Sequence, residues 1–87
     1  MTQNNPGNQP RKLDKALIVG AGIMGHGIAQ LLAMNGIRVF LVDQNDAFLS
    51  RARGWMEDNL NYMVELGEMD KTDFSVTLSR VVFTTEL

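Results

Sequence analysis

Two groups in this sequence have the residue types and spacing to do chemistry: the run Gly20-Ala21-Gly22-Ile23-Met24-Gly25, and Asp43, 23 residues beyond Gly20. The run fits G-x-G-x-x-G, in which each glycine has a separate job. Gly20 permits a sharp exit from a strand because it tolerates positive φ. Gly22 puts no side chain between the backbone and an approaching diphosphate, which the free N–H groups and positive dipole end of a following helix would stabilise. Gly25 lets that helix lie close on the strand, and Gly27 and Ala29 keep it small. A carboxylate at Asp43 can accept hydrogen bonds from both hydroxyls of an adenosine ribose and repels a 2′-phosphate, which favours NAD over NADP. A glycine turn alone is weak; it gains force only from a buried strand before it and an amphipathic helix after it.

The sequence supplies both. Ala16-Leu17-Ile18-Val19 is a continuous apolar run of the kind buried on both faces of a parallel sheet. Residues from Ile23 to about Asn35 read as a helix, with Ile28, Leu31, Leu32 and Asn35 at helical spacing and Gly36 placed as its terminating cap. Ile37 to Val42 is a second apolar strand. Asn45 is an expected N-cap for a long helix with Asp46 in its first turn, and Phe48, Ala52, Trp55, Met56, Leu60, Met63 and Leu66 form its apolar stripe up to Gly67. Lys71 to Ser79 reads as a short helix or turn, and Val81 to Thr84 as a third strand. The order is βαβαβ. The expected class is therefore α/β: the first half of a Rossmann dinucleotide-binding domain, with parallel sheet order 3-2-1 and right-handed crossovers.

Such crossovers put the helices on one side of the sheet. Leu17 and Val19, or Ala16 and Ile18, are then expected to face water, with the free edge of the first strand open to pairing. The chain by itself is therefore expected to associate, to remain partly unfolded, or to depend on more polypeptide.

Eighty-seven residues make at most one small domain. Residues 1–12 are polar and read as a flexible leader, with ordered structure over 13–87. With 45% hydrophobic residues, 21% charged residues and a net charge of -2, the chain has the composition of a soluble protein. No basic stripe points to nucleic acid, and no apolar run approaches the ~20 residues that cross a bilayer. The absence of cysteine excludes disulfides and thiolate chemistry and suits a reducing, cytoplasmic setting.

Several residues look chemical and read as bland. His26, the single histidine, sits in the first turn of the dinucleotide helix and is expected on its surface rather than as a catalytic base. Trp55, Met56 and Met63 read as core, and Asp70, Lys71 and Asp73 as a solvated turn. Asn59 and Asn61 are polar positions late in the long helix.

The run from Ala16 to Asn45 resembles the N-terminal end of 3-hydroxyacyl-CoA dehydrogenases. The likeness rests on Met24 inside the glycine turn, Gly27-Ile28-Ala29-Gln30 opening the helix, and Val42-Asp43-Gln44 closing the second strand. It extends more weakly to Thr85. It implies that Gly20, Ala21, Gly22, Ile23, Met24 and Gly25 bind the pyrophosphate of NAD, that Asp43 binds the adenosine ribose, and that Gln44 flanks it. It also implies hydride transfer between NAD and the 3-hydroxyl of an acyl-CoA, by a complete protein whose histidine–glutamate pair and helical substrate and dimerisation domain lie downstream of this region. Basic residues that the family places late in the long helix, near coenzyme A, are replaced here by Met63, Glu65, Leu66 and Glu68, so no coenzyme A contact is carried over. Two other readings remain open: a non-catalytic nucleotide-binding module, and the opening of a flavoprotein, which usually places Glu where Asp43 stands.

Overall fold

The computed structural model describes residues 14–86; the expected leader lies outside the described residues. These residues form β1 (Lys15–Val19), α1 (Ile23–Met34), β2 (Arg38–Val42), α2 (Asp46–Glu65), α3 (Lys71–Ser79) and β3 (Val81–Thr84). The strands are parallel and lie in the order β1-β2-β3, which read from the far edge is the expected 3-2-1. The segment read as a helix or turn is a helix. Asp70, expected in a solvated turn, is its N-cap and accepts the Asp73 N–H at 2.7 Å.

Register decides which side chains meet the helices. Ala16 and Ile18 are paired with Val39 and Leu41, and these with Val81 and Phe83. Val39 and Leu41 are fully buried, and Ile18 and Phe83 pack against the same core with Ala29, Ala33, Leu49, Ala52 and Met56 from the helices. Side chains alternate across a strand, so Leu17 and Val19 point to the opposite face, where they are 57% and 69% exposed. The helices thus cover one face of the sheet, as the crossover rule requires.

The face of α1 is rotated from the one its bulky residues mark in the sequence, whereas α2 buries Ala52, Met56 and Leu60 of its expected stripe. On α1 the buried residues are His26, Ala29 and Ala33, whereas Ile28 and Leu31 are exposed. The reason is clearance. A Cβ on Gly25 would run into the carbonyl oxygen of Gly20, so α1 lies too near β1 for large side chains to intervene. Small residues take the inner face and large ones are turned outward. On α2 the buried stripe is Leu49, Ala52, Met56 and Leu60, while Phe48 and Leu66 stand exposed. Leu49 packs in the core in place of Phe48, and Asn45 caps the helix, its Oδ1 accepting from Ala47 and Phe48 N–H.

The remaining ends are closed locally. Arg80 donates to the carbonyl of Ala33 at 2.8 Å, a cation on the last turn of α1, where the dipole favours it. Among the described residues no helix is long and apolar enough to cross a membrane.

The clearance makes two glycines respond oppositely to one methyl group. Gly25→Ala is expected to destabilise the chain by about 1–3 kcal/mol through overpacking against backbone. Gly54→Ala, inside α2 where an added Cβ meets nothing within 4 Å, should stabilise it by about 0.5–1 kcal/mol. Chemical denaturation of the two variants checks both signs.

Candidate functional site

The glycine turn joins the C-terminal end of β1 to the N-terminus of α1. Gly20 has φ +105, a conformation L side chains rarely adopt, and its N–H donates to the Val42 carbonyl at 2.7 Å. Ladder pairing thus continues one residue past β1 before the chain breaks sharply upward. Gly22 is the N-cap of α1, in extended conformation and with no side-chain cap. The first bond that closes the helix runs from His26 N–H to Gly22 O at 3.0 Å. The amides of Ile23, Met24 and Gly25 come before it and have no intrahelical acceptor. The first turn also carries no acidic residue. This helix end is therefore exposed and positively polarised, with no acid in its own first turn, a setting that suits a diphosphate.

The turn presents its members differently. Ala21 is buried at 1% exposure, whereas Gly22 is open and Ile23 and Met24 are each 77% exposed. An added Cβ on Gly22 would meet nothing within 4 Å.

Asp43 follows β2 directly and faces this turn. Its Oδ2 accepts the Ala21 N–H at 2.9 Å and its Oδ1 accepts the Asn45 N–H at 2.9 Å. The Ala21 donor, and after it the Asn45 donor, hold the carboxyl below its ordinary value of 3.8 against a smaller opposing effect of burial. The group is ionised at neutral pH, an acceptor with lone pairs to spare. Gln44 lies exposed beside it. Structure thus brings Asp43 within hydrogen-bond reach of the six-residue turn.

The expectation for His26 is corrected here. It is 8% exposed, not on the helix surface. Its Nδ1 lies 3.1 Å from the Gly22 carbonyl, which can only accept, so that contact needs the proton on Nδ1. Its ring packs on Trp55, with centroids 4.6 Å apart. Positions 26, 29 and 33 share one helical face, so the spacing of His26 to Ala29 and Ala33 was the available signal. Trp55 is likewise not core. It lines an open cleft of about 200 Å³ between the turn and α2, together with Ala21, Gly22, Ile23, Phe48 and Arg51. Deeper along α2, Asn59 donates to Gln30 Oε1 at 3.0 Å, tying α2 to α1. No cluster of His, Cys, Asp or Glu able to hold a metal is present among the described residues.

A one-sided parallel sheet, a glycine turn opening onto a bare helix N-terminus and an acid closing the second strand define the first half of a dinucleotide-binding α/β domain. The family "3-hydroxyacyl-CoA dehydrogenase, NAD binding domain" matches residues 15–87, and the chain belongs to it. It is 40% identical over 70 residues to the glyoxysomal fatty acid beta-oxidation multifunctional protein MFP-a of Brassica napus, covering 80% of this chain and 10% of that one. It is 41% identical over 70 residues to a probable 3-hydroxybutyryl-CoA dehydrogenase of Deinococcus radiodurans, covering 80% and 25%. A fatty acid oxidation complex subunit alpha from Psychrobacter arcticus is 34% identical over 70 residues, covering 80% and 10%. The crystal structure of 3-hydroxybutyryl-CoA dehydrogenase from Escherichia coli superposes with a TM-score of 0.84 at 30% identity, over 88% of this chain and 16% of that one. The chain thus spans between a tenth and a quarter of the length of these curated relatives.

Because space for a Cβ exists at Gly22 but lies on the open side of the turn, stability and binding should separate there. Gly22→Ala is expected to shift stability by no more than about 0.5 kcal/mol while weakening NADH binding about tenfold or more, since the methyl group occupies the approach of the diphosphate. Parallel melting and calorimetric titration check the separation.

Proposed function

We propose that this chain holds NAD for a 3-hydroxyacyl-CoA dehydrogenase that works in fatty acid β-oxidation. The amides of Gly22, Ile23, Met24 and Gly25 at the head of α1 take the pyrophosphate, with Gly20 and Ala21 shaping the turn. Asp43 accepts the adenosine ribose hydroxyls and Gln44 flanks them. The observation that carries this reading is the placement of the Asp43 carboxylate against the bare helix N-terminus, bonded to the turn itself at 2.9 Å.

Bound NAD would supply the acceptor for the hydride that leaves C3 of a 3-hydroxyacyl-CoA. What the residues of this chain do is hold the cofactor. The helix end neutralises part of the diphosphate charge, and the ionised Asp43 orients the ribose by accepting from its hydroxyls. The same charge disfavours NADP, whose 2′-phosphate would meet a carboxylate with no arginine directly after it, since Gln44 and Asn45 follow. The acyl-CoA itself is a substrate of the whole protein. The relatives named above, from a 3-hydroxybutyryl-CoA dehydrogenase to the alpha subunit of a fatty acid oxidation complex, support that substrate class.

Self-association of the polypeptide belongs to the same reading. Leu17 and Val19 are exposed together on the sheet face without helices. Burying them would be worth ~1.5–3 kcal/mol each, a sizeable part of the ~5–15 kcal/mol that stabilises a typical domain. Sedimentation of the 87-residue chain is expected to show oligomers, and a monodisperse monomer would contradict it.

Cofactor competition tests the main proposal. NADH is expected to bind at least about tenfold more tightly than NADPH, the discrimination that about 1.4 kcal/mol of charge repulsion supplies. Equal affinity, or tighter NADPH binding, would refute it. The full-length protein should reduce NAD with 3-hydroxybutyryl-CoA.

A further inference from the structure

The ribose reading leaves part of the Asp43 carboxylate unaccounted for. An ionised carboxylate has about four lone-pair sites, two on each oxygen. One site on Oδ2 is filled by the Ala21 N–H and one on Oδ1 by the Asn45 N–H. One site per oxygen remains, which is the number that two ribose hydroxyls require. Asp43 can therefore bind a ribose without releasing either backbone donor.

The donor on Oδ2 belongs to the turn itself. Ala21 is 1% exposed, and the Asp43 carboxylate is the partner that its N–H has in the structure. A buried amide without a partner is costly, and the turn must move if that bond is lost. The peptide concerned leads directly into Gly22, the N-cap from which the free amides of α1 begin. On the β2 side Asp43 is itself anchored, because its own N–H donates to the Thr84 carbonyl of β3 at 3.2 Å. A continuous chain of bonds thus runs from β3 through Asp43 to the turn.

We propose that Asp43 is a positioning residue for the pyrophosphate turn as well as the ribose acceptor, so that one carboxylate sets both halves of the cofactor's adenosine diphosphate end. The inference rests on the nucleotide reading above and adds a consequence for specificity. Removing the acid to admit a 2′-phosphate would also loosen the turn, so NADPH affinity would not rise as NADH affinity falls.

The experiment compares ADP with 2′,3′-dideoxy-ADP, which keeps the diphosphate and lacks both hydroxyls. Each is titrated calorimetrically into the full chain, unaltered and as Asp43→Asn. The asparagine keeps the size but offers an acceptor to only one of the two amides and turns a donor toward the other. The unaltered chain should prefer ADP. Asp43→Asn should weaken dideoxy-ADP about tenfold, the scale of a lost hydrogen bond to a charged group, and ADP by more. Loss confined to ADP, with dideoxy-ADP unchanged, would overturn the positioning role and leave the ribose reading standing. Failure of both nucleotides to bind the unaltered chain would overturn both. A readout that needs no variant is the Ala21 amide resonance in an acid titration. It should move with protonation of Asp43, at a pH below the ordinary carboxylate value. A resonance that passes through that titration unmoved would overturn the proposal even if Asp43→Asn failed to fold.

Discussion

The close approach of α1 to β1 is the constraint from which the rest of this structure follows. Gly25 lies so near the Gly20 carbonyl that no side chain fits between them. That contact aims the first turn of α1 along the C-terminal edge of the sheet and leaves its leading amides facing open space. It also selects what α1 buries. Ala29 and Ala33 are fully buried because only small side chains fit where helix and sheet are this near. The bulky Ile28 and Leu31 are left outside. Packing at one glycine therefore sets both the geometry of the candidate anion site and the character of the core beneath it.

A site made of backbone amides needs bracing, since nothing in a glycine turn is rigid on its own. The bracing comes from both sides. From the sheet, Val42 O and the Asp43 carboxylate hold the N–H groups of Gly20 and Ala21. From the helix, His26 lies against the Gly22 carbonyl and is itself packed on Trp55 of α2. The turn is thus fixed by groups from β2, α1 and α2, while its outward amides stay free. This division suits an electrostatic site, where donors already in place cost little to reorganise when the anion arrives.

Much of this was legible in the sequence, and the failures have one cause. Glycine spacing, the acid after the second strand and the N-cap at Asn45 each act locally, so their types and positions could be read directly. Strand order followed from the Rossmann topology that the motif implies, and the covered face from crossover handedness. The face of α1 and the two ends of the α2 stripe did not follow, because the apolar periodicity of Ile28 and Leu31, like the bulk of Phe48 and Leu66, assumes that bulk seeks the core. On α1 the clearance at Gly25 outranks bulk, and that clearance is a tertiary fact. His26 was misplaced for the same reason: a histidine one turn into a helix reads as surface unless the helix is known to bury its Ala29 face. The bond from Asp43 to Ala21 spans 22 residues and had no sequence signal apart from the motif itself.

The amides at the head of α1, held by the Gly25 contact and by Asp43, are proposed to receive the pyrophosphate of NAD. Backbone amide resonances recorded during titration with NADH test it most directly. The largest shifts are expected at Gly22, Ile23, Met24 and Gly25, a second group at Asp43 and Gln44, and little change at Thr77 or Arg80 at the opposite end of the sheet. Saturable shifts centred on α3 and Arg80, or binding that leaves the Gly22–Gly25 amides unmoved, would contradict it.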